Sequence, residues 1–152
     1  SGCEQAPAAP EHRGVLLMAY TLTSDLVTNN SMIDTQHKQL FDAINALLEA
    51  CSKGQGRAEI GKTLDFLSKY VDKHFSDEER LQRQYAYPEY EKHHKFHEEY
   101  KKTIRELQQE LNQNGANIAL VAKVNTAIGG WLVNHIKRED LKMAQYIREH
   151  QK

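Results

Sequence analysis

The sequence predicts an all-α protein, an antiparallel up-down-up-down four-helix bundle with an extended N-terminal arm. From residue 31 onward, apolar residues recur at steps of three and four, as they do on one face of an α-helix. Four stretches with this pattern are separated by short turns that contain glycine or proline, and short connections make consecutive helices antiparallel. No segment shows the alternating pattern of a β-strand, and no long internal repeat competes with this interpretation.

The residues before the first helix divide into a leader and an arm. Residues 1–17 are rich in alanine, proline and small polar residues and lack the apolar segment of a signal peptide. We interpret them as a remnant that is not native to the domain or as a disordered extension, so that the folded domain spans 18–152. Residues 18–30 have no helical period and predict an extended arm laid against the bundle. Its candidate anchors are Tyr20, Leu22 and Leu26.

The first two helices have recognisable ends. Ser31 and Asp34 have the spacing of a capping box, which predicts that the first helix begins there. Its apolar stripe stops at Gly54 and Gly56, as is typical of a helix C-terminus. The second helix is predicted at about 57–85, and a carboxylate on its apolar face is unexpected in a helix that only packs.

Proline and asparagine mark the starts of the last two helices. Pro88 suits the first turn of the third helix, where its missing amide costs little, and Gly115 ends that helix. The fourth helix is predicted to begin near Asn117. Within it, Gly129 and Gly130 each cost on the order of 1 kcal/mol relative to alanine, which predicts that they allow a neighbouring helix or the Trp131 ring to approach closely.

Composition excludes several classes of protein. The net charge of −1 and the even spread of lysine and arginine give no reason to expect a nucleic acid or an anionic membrane as partner. No apolar run approaches the roughly 20 residues of a membrane span. The two cysteines, Cys3 and Cys51, are too far apart in sequence to suggest a disulfide framework, which favours a reducing, cytoplasmic location. No feature of the sequence identifies a protein partner.

Seven residues on the four predicted inner faces form a candidate metal site. Residues four apart on a helix project to the same side, which applies to His74 and Glu78 and to His93 and His97. Five neutral imidazoles and two carboxylates suit iron, manganese or zinc and do not make a thiolate site. This set is too large for one ion, and shared between two ions it leaves one coordination position open. The candidate ligands are His37, His74, Glu78, His93, His97, His135 and Asp140.

Ordinary packing is the alternative explanation for each of these residues taken singly. A lone histidine on an apolar stripe is usually a core or boundary residue, but ionised Glu78 and Asp140 would be costly to bury without partners. Metal coordination satisfies the whole set at once. His94 forms a Glu-x-x-His element with Glu91, but only one copy occurs where ferritin-like di-iron bundles need two. We therefore expect His94 to point to solvent, together with His12 and His150.

The motifs around the candidate ligands resemble the hemerythrin family, and its bacterial members most. The resemblance covers about residues 20–150, and the complete ligand series in this order is highly specific. One departure is Tyr20, at a position where the family often has tryptophan. The motifs are His37 within residues 33–41, His74-Phe75-x-x-Glu78-Glu79, Tyr87-Pro88 before His93-x-x-x-His97, and Trp131-Leu132-x-x-His135-x-x-x-x-Asp140.

The resemblance implies reversible dioxygen binding at a non-haem centre of two iron ions with an oxo or hydroxo bridge, without a catalytic side chain and hence without enzyme activity. By this resemblance one iron is held by His93, His97 and His135, the other by His37 and His74, and both by the bridging Glu78 and Asp140. The second iron then lacks a sixth ligand, and dioxygen binds there. A dry pocket protects the bound oxygen. Its expected apolar wall consists of Trp131, Leu132, Phe75 and Phe41.

Three functions remain open from the sequence. The first is carriage, storage or delivery of dioxygen by a single domain, and the second is sensing of oxygen or redox state for a partner. The third is a di-iron oxidase, which the histidine-rich ligand set disfavours because such oxidases use more carboxylates.

Overall fold

The computed structural model describes residues 19–151 and confirms the predicted four-helix bundle. The leader predicted at 1–17, with Cys3 and His12, lies outside the described residues. Short turns join the helices, so neighbours in sequence run antiparallel. None of the helices between residues 19 and 151 is both long enough and apolar enough for a membrane span. The helices are α1, Ser31–Ser52, α2, Gly56–Gln84, α3, Tyr90–Asn114, and α4, residues 118–150.

The first helix begins where predicted, but a different residue caps it. The side-chain oxygen of Asn30 accepts a hydrogen bond of 3.1 Å from the Ile33 amide, because an extended asparagine before the first turn reaches an amide that lacks a partner within the helix. Asp34 instead accepts hydrogen bonds from the amide and the hydroxyl of Thr28, at 2.9 and 2.8 Å. The predicted capping box at Ser31 is therefore wrong: Asn30 caps the helix, and Asp34 binds Thr28 in the segment before it.

The later boundaries follow the prediction with one shift. Pro88 lies in the turn before α3 and not in its first turn, because the helix begins at Tyr90. Gly115 ends α3 with a positive φ of 77°, a conformation that favours glycine. Asn117 caps α4 by accepting a hydrogen bond of 2.9 Å from the Leu120 amide.

Helix α4 contains two wider turns that the sequence pattern did not reveal. It is α-helical at Ile118–Lys123, Trp131–His135 and Leu141–His150, and π-helical at Val124–Gly130 and Ile136–Asp140. The backbone stays right-handed throughout, and the Leu141 amide donates to the carbonyl of Ile136, five residues earlier. Turns of this kind are rare and often occur at functional sites.

A polar layer separates two apolar clusters in the bundle. The larger cluster includes Leu40, Val71 and Ile136, and the smaller one includes Ile33 and Met143. In sequence, His37 lies between Ile33 of the smaller cluster and Leu40 of the larger one, and Asp140 lies between Ile136 of the larger cluster and Met143 of the smaller one. The fold thus surrounds the candidate site with hydrocarbon on both sides.

The arm is not extended throughout as predicted, because Ser24–Leu26 form one turn of 3-10 helix, but it packs against the core through its predicted anchors. Leu26 is buried, and Tyr20 and Leu22 are half-buried against the larger cluster. The amide of Tyr20 donates to Asn45 Oδ1 at 2.8 Å, and Asn45 Nδ2 donates back to the Tyr20 carbonyl at 2.7 Å. The Tyr20 hydroxyl donates to the carbonyl of Asn125 at 3.0 Å. Tyrosine therefore anchors the arm with both its backbone and its side chain.

Gly129 is the glycine that makes room for the arm. A Cβ at this position would lie 2.6 Å from the Tyr20 ring, whereas a Cβ at Gly130 would meet nothing within 4 Å. A side chain does approach Gly129 closely, but it is the Tyr20 ring of the arm and not a neighbouring helix or the Trp131 ring; the predicted approach at Gly130 is wrong.

We expect Gly129→Ala to be less stable than Gly130→Ala by roughly 1 to 3 kcal/mol, the usual penalty for inserting a methyl group into filled space. Both variants gain about 1 kcal/mol of helix propensity, so the difference reports the contact with Tyr20. Urea unfolding of both proteins measures it. In a Tyr20→Ala background the difference should vanish; if it persists, the arm is not the obstacle.

Candidate metal centre

The structure brings all seven predicted ligands to one level of the bundle. Each side chain is buried, and the most exposed of them, His135, is only 5% exposed. Every helix contributes, and the inward positions are those of the apolar stripes. The contributions are His37 from α1, His74 and Glu78 from α2, His93 and His97 from α3, and His135 and Asp140 from α4.

Glu78 turns its two oxygen atoms to opposite sides of the site. Its Oε2 lies 3.1 Å from Nε2 of His74 and 3.5 Å from Nε2 of His37. Its Oε1 lies 3.2 Å from Nε2 of His97 and 3.6 Å from Nε2 of His93. One carboxylate thus faces two separate pairs of imidazoles.

Asp140 repeats this division from the opposite helix. Its Oδ2 lies 2.9 Å from Nε2 of His37, and its Oδ1 lies 3.0 and 3.2 Å from Nε2 of His93 and His135. The π-helical turn Ile136–Asp140 makes this possible because residues five apart come to the same side there. In a regular α-helix Asp140 would lie further round the axis from His135.

The donor atoms form two overlapping groups, each suited to one ion. All ligand atoms within a group lie within 4.8 Å of one another. Glu78 and Asp140 belong to both groups, so a cation in one group shares both carboxylates with a cation in the other. One group consists of Glu78, His93, His97, His135 and Asp140, and the other of His37, His74, Glu78 and Asp140.

The unsatisfied polar atoms of this layer fit the presence of cations. Both oxygens of Glu78 and of Asp140, and the inward nitrogens of His37, His74 and His97, are buried and make no hydrogen bond. Buried polar groups almost always have a partner, and a divalent ion serves oxygen and imidazole nitrogen donors together.

Electrostatics within the layer favours ionised carboxylates. Burial raises the pKa of Glu78 and of Asp140, but the facing imidazoles outweigh it and hold each carboxyl pKa well below its usual value. Burial lowers the pKa of His37 and of His93, yet the same two carboxylates raise these values to about 9 and about 10. The pKa of His135 is lowered, chiefly by burial. The layer therefore favours two negative carboxylates facing imidazole nitrogens, a charge arrangement that divalent cations would stabilise.

Gln36 orients His74 through the imidazole nitrogen that faces away from the site. The Nδ1 atom of His74 lies 2.7 Å from Oε1 of Gln36, and Nε2 of Gln36 donates to Oδ2 of Asp77 at 2.8 Å. This second bond fixes the orientation of the amide, so its oxygen faces the imidazole. His74 therefore carries its proton on Nδ1 and keeps Nε2 free for a cation.

Glu79 holds His97 in the same way, but with a carboxylate. Its Oε2 lies 2.8 Å from Nδ1 of His97, and its Oε1 lies 2.9 Å from Nδ1 of His94. Burial raises the pKa of Glu79, but the hydrogen bonds to these two histidines outweigh burial, so the pKa lies below its usual value and the carboxylate carries a negative charge. This role of Glu79 was not predicted, although the residue directly follows a predicted ligand in the sequence.

The non-ligand histidines differ from each other. The side chain of His94 is 41% exposed, so it faces solvent in part, as predicted, but its bond to Glu79 joins it to the rear of the site. His150 is exposed and contacts the carbonyl of Tyr146 at 2.8 Å.

Aromatic rings cover two of the imidazoles. Phe75 stacks on His97 with ring centroids 3.8 Å apart, and Trp131 stacks on His135 at 4.4 Å. Trp131 also lines a cavity of about 440 Å³ whose wall includes His135. Of the other predicted wall residues, Leu132 is fully buried in the core. Phe41 is buried and stacks on the Tyr20 ring of the arm. Their role as an oxygen pocket stays a prediction.

Four antiparallel helices around a histidine-rich site with two shared carboxylates define a class of helical-bundle proteins with a two-metal centre. Residues 28–147 match the family model described as the hemerythrin HHE cation-binding domain. The chain therefore belongs to the hemerythrin family, as its motifs predict.

Named relatives agree with this assignment. The chain is 33% identical over 124 residues to a bacteriohemerythrin of Methylococcus capsulatus, covering 82% of this chain and 92% of the relative. It is 31% identical to a myohemerythrin of Theromyzon tessulatum, covering 72% and 78%. A crystal structure of a hemerythrin with one leucine replaced by tyrosine superposes with a TM-score of 0.71 at 30% identity, over 87% of this chain and 98% of that one.

We expect Zn²⁺ to raise the unfolding temperature of the metal-free protein, because a ligand at 100 times its Kd adds roughly 2.7 kcal/mol of stability. Glu78→Ala should lose most of this increase, since Glu78 faces both groups of imidazoles. His94→Ala is the matched control and should keep it. Thermal unfolding with and without Zn²⁺ measures both, and the reverse pattern would show that the cation binds elsewhere.

Proposed function

We propose that this chain binds dioxygen reversibly at a di-iron centre and that it carries, stores or delivers oxygen. The observation that supports this best is the unequal division of the seven buried donors. One group has three imidazoles and the other has two, while both share Glu78 and Asp140. An ion in the smaller group therefore has one protein ligand fewer, which leaves room for a small ligand.

The ligand assignment is part of this proposal. His93, His97 and His135 would hold one iron, His37 and His74 would hold the other, and Glu78 and Asp140, which belong to both groups of donors, would be shared by the two. Two observations support it: each carboxylate directs one oxygen to each group, and the inward nitrogens of His37, His74 and His97 have no hydrogen-bond partner.

Two iron ions joined by an oxo or hydroxo bridge supply the reversible two-electron chemistry that dioxygen binding requires. The side chains have simpler tasks. Gln36 and Glu79 orient His74 and His97 through their Nδ1 atoms. Phe75, stacked on His97, keeps water from that imidazole. No side chain is needed as a general acid or base in this scheme.

Carriage is favoured over an oxidase by the chemistry of the donors. The site has five imidazoles and only two carboxylates, whereas carboxylate-rich bundles place a glutamate on each of the four helices. We therefore propose a binding protein and not an enzyme. A cytoplasmic location is part of the proposal and is supported by the two widely spaced cysteines of the sequence.

The aerobically purified protein should contain about two irons per chain, as expected for an imidazole and carboxylate site of this size. It should also show a charge-transfer absorption that disappears on reduction and returns with air. Metal analysis and repeated absorption spectra through cycles of deoxygenation measure this. One zinc per chain, or an oxygenated form that never reverts, would exclude oxygen carriage.

Trp131→Ala should shorten the lifetime of the oxygenated form several-fold, because the ring stacks on His135 beside the 440 Å³ cavity that both residues line, and its loss admits water, which favours oxidation. Phe66→Ala is the control: this aromatic ring is exposed on α2 and stacks on Tyr70. The decay of the oxygenated spectrum gives both lifetimes. Equal lifetimes in the two variants would remove Trp131 from the wall of the site.

A further inference from the structure

Two imidazoles of the centre, one in each group of ligands, form a hydrogen bond through their outer nitrogen to a side chain outside the ligand set. His74, in the two-imidazole group, contacts Oε1 of Gln36 at 2.7 Å, and His97, in the three-imidazole group, contacts Oε2 of Glu79 at 2.8 Å. By contrast, the outer nitrogens of His37 and His93 are buried without a hydrogen-bond partner. The two supported imidazoles therefore differ in the chemistry of their support.

The support of His97 is anionic. A carboxylate that accepts the Nδ1 proton of an imidazole increases the electron density at Nε2 and makes it a stronger metal ligand. Glu79 is well placed for this because it is mostly buried, and the second hydrogen bond, to His94, holds its other oxygen.

The support of His74 is neutral. The amide oxygen of Gln36 accepts a proton but carries no net charge, so it withdraws the proton less strongly. The nearest carboxylate beyond it, Asp77, is paired with Lys73 at 2.9 Å and with Arg80 at 3.0 Å. These two cations offset the negative charge of Asp77, so little of that charge reaches His74 through the Gln36 amide.

We propose that Glu79 and Gln36 make the two metal positions unequal: the three-imidazole position is the tightly held one, and the two-imidazole position releases its ion first. This inference rests on the ligand assignment of the proposed function and adds two positioning residues to it. The difference in the number of imidazoles and the difference in their support act in the same direction. The ion with the open coordination position is thus also the exchangeable one.

Glu79→Gln tests the stronger position. Glutamine has the same shape, can accept from His97 with its oxygen and can donate to His94 with its amide, so only the charge is lost. The experiment titrates the metal-free protein with Co²⁺ by calorimetry and then measures release to a chelator. The wild type should bind two ions in unequal steps and release them in two phases. The variant should weaken the tighter step about 10- to 100-fold, the usual effect of losing such a support, and should change the weaker step little.

The weaker position is tested by the reciprocal change. Gln36→Glu combined with Asp77→Asn keeps a donor facing residue 36 and should slow the fast phase of release, because His74 then gains an anionic support. His94→Asn is the control: it removes the outer bond to Glu79 but leaves the bond to His97, so the tighter step should change far less than in Glu79→Gln. His74→Gln, with one imidazole fewer in the weaker group, identifies the phase that belongs to each position.

Two equal steps in the wild type, or an unchanged tighter step in Glu79→Gln, would overturn the inference. If Glu79→Gln does not fold, as judged by circular dichroism, the reciprocal variant decides alone: an unchanged fast phase overturns the inference. Failure of the proposed function looks different, because the wild type would then bind a single ion or none. A protein that binds two irons and oxygen reversibly, but with equal metal positions, would keep the function and lose only this inference.

Discussion

Two carboxylates buried at the centre of the bundle are the constraint on which the rest of the structure depends. Glu78 and Asp140 have no exposed surface, and isolated charges in such a place would be strongly destabilising. The imidazoles around them, and the cations that the site is built to take, balance these charges. Because this balance needs groups from all four helices, the polar layer fixes how the helices are positioned along one another.

Much of this arrangement could be predicted from the sequence. Steps of three and four locate the helices, and a step of four places His74 beside Glu78 and His93 beside His97. Histidine and carboxylate on otherwise apolar faces then indicate a shared site, since such groups are poor core residues when unpaired. These inferences succeed because helix geometry converts spacing into direction without knowledge of the neighbouring helices.

Other features depended on information that spacing does not carry. The π-helical turn that brings Asp140 beside His135 has no clear sequence signal, because it arises from packing in the finished bundle. The bond between Glu79 and His97 joins two helices whose relative rotation was unknown. The approach of Tyr20 to Gly129 likewise depends on the path of an arm that has no periodic pattern.

The binding of the Tyr20 side chain against the last helix has a consequence for folding kinetics. Its hydroxyl bonds to Asn125, 105 residues further along the chain, and contacts between such distant residues form slowly because a long loop must close first. During synthesis, α1 to α3 leave the ribosome before the helix that carries this partner. The backbone bonds between Tyr20 and Asn45 need only the first helix, but the Tyr20 hydroxyl finds its partner only when the last helix is in place, so a native environment of this tyrosine side chain reports that the last helix has joined the others.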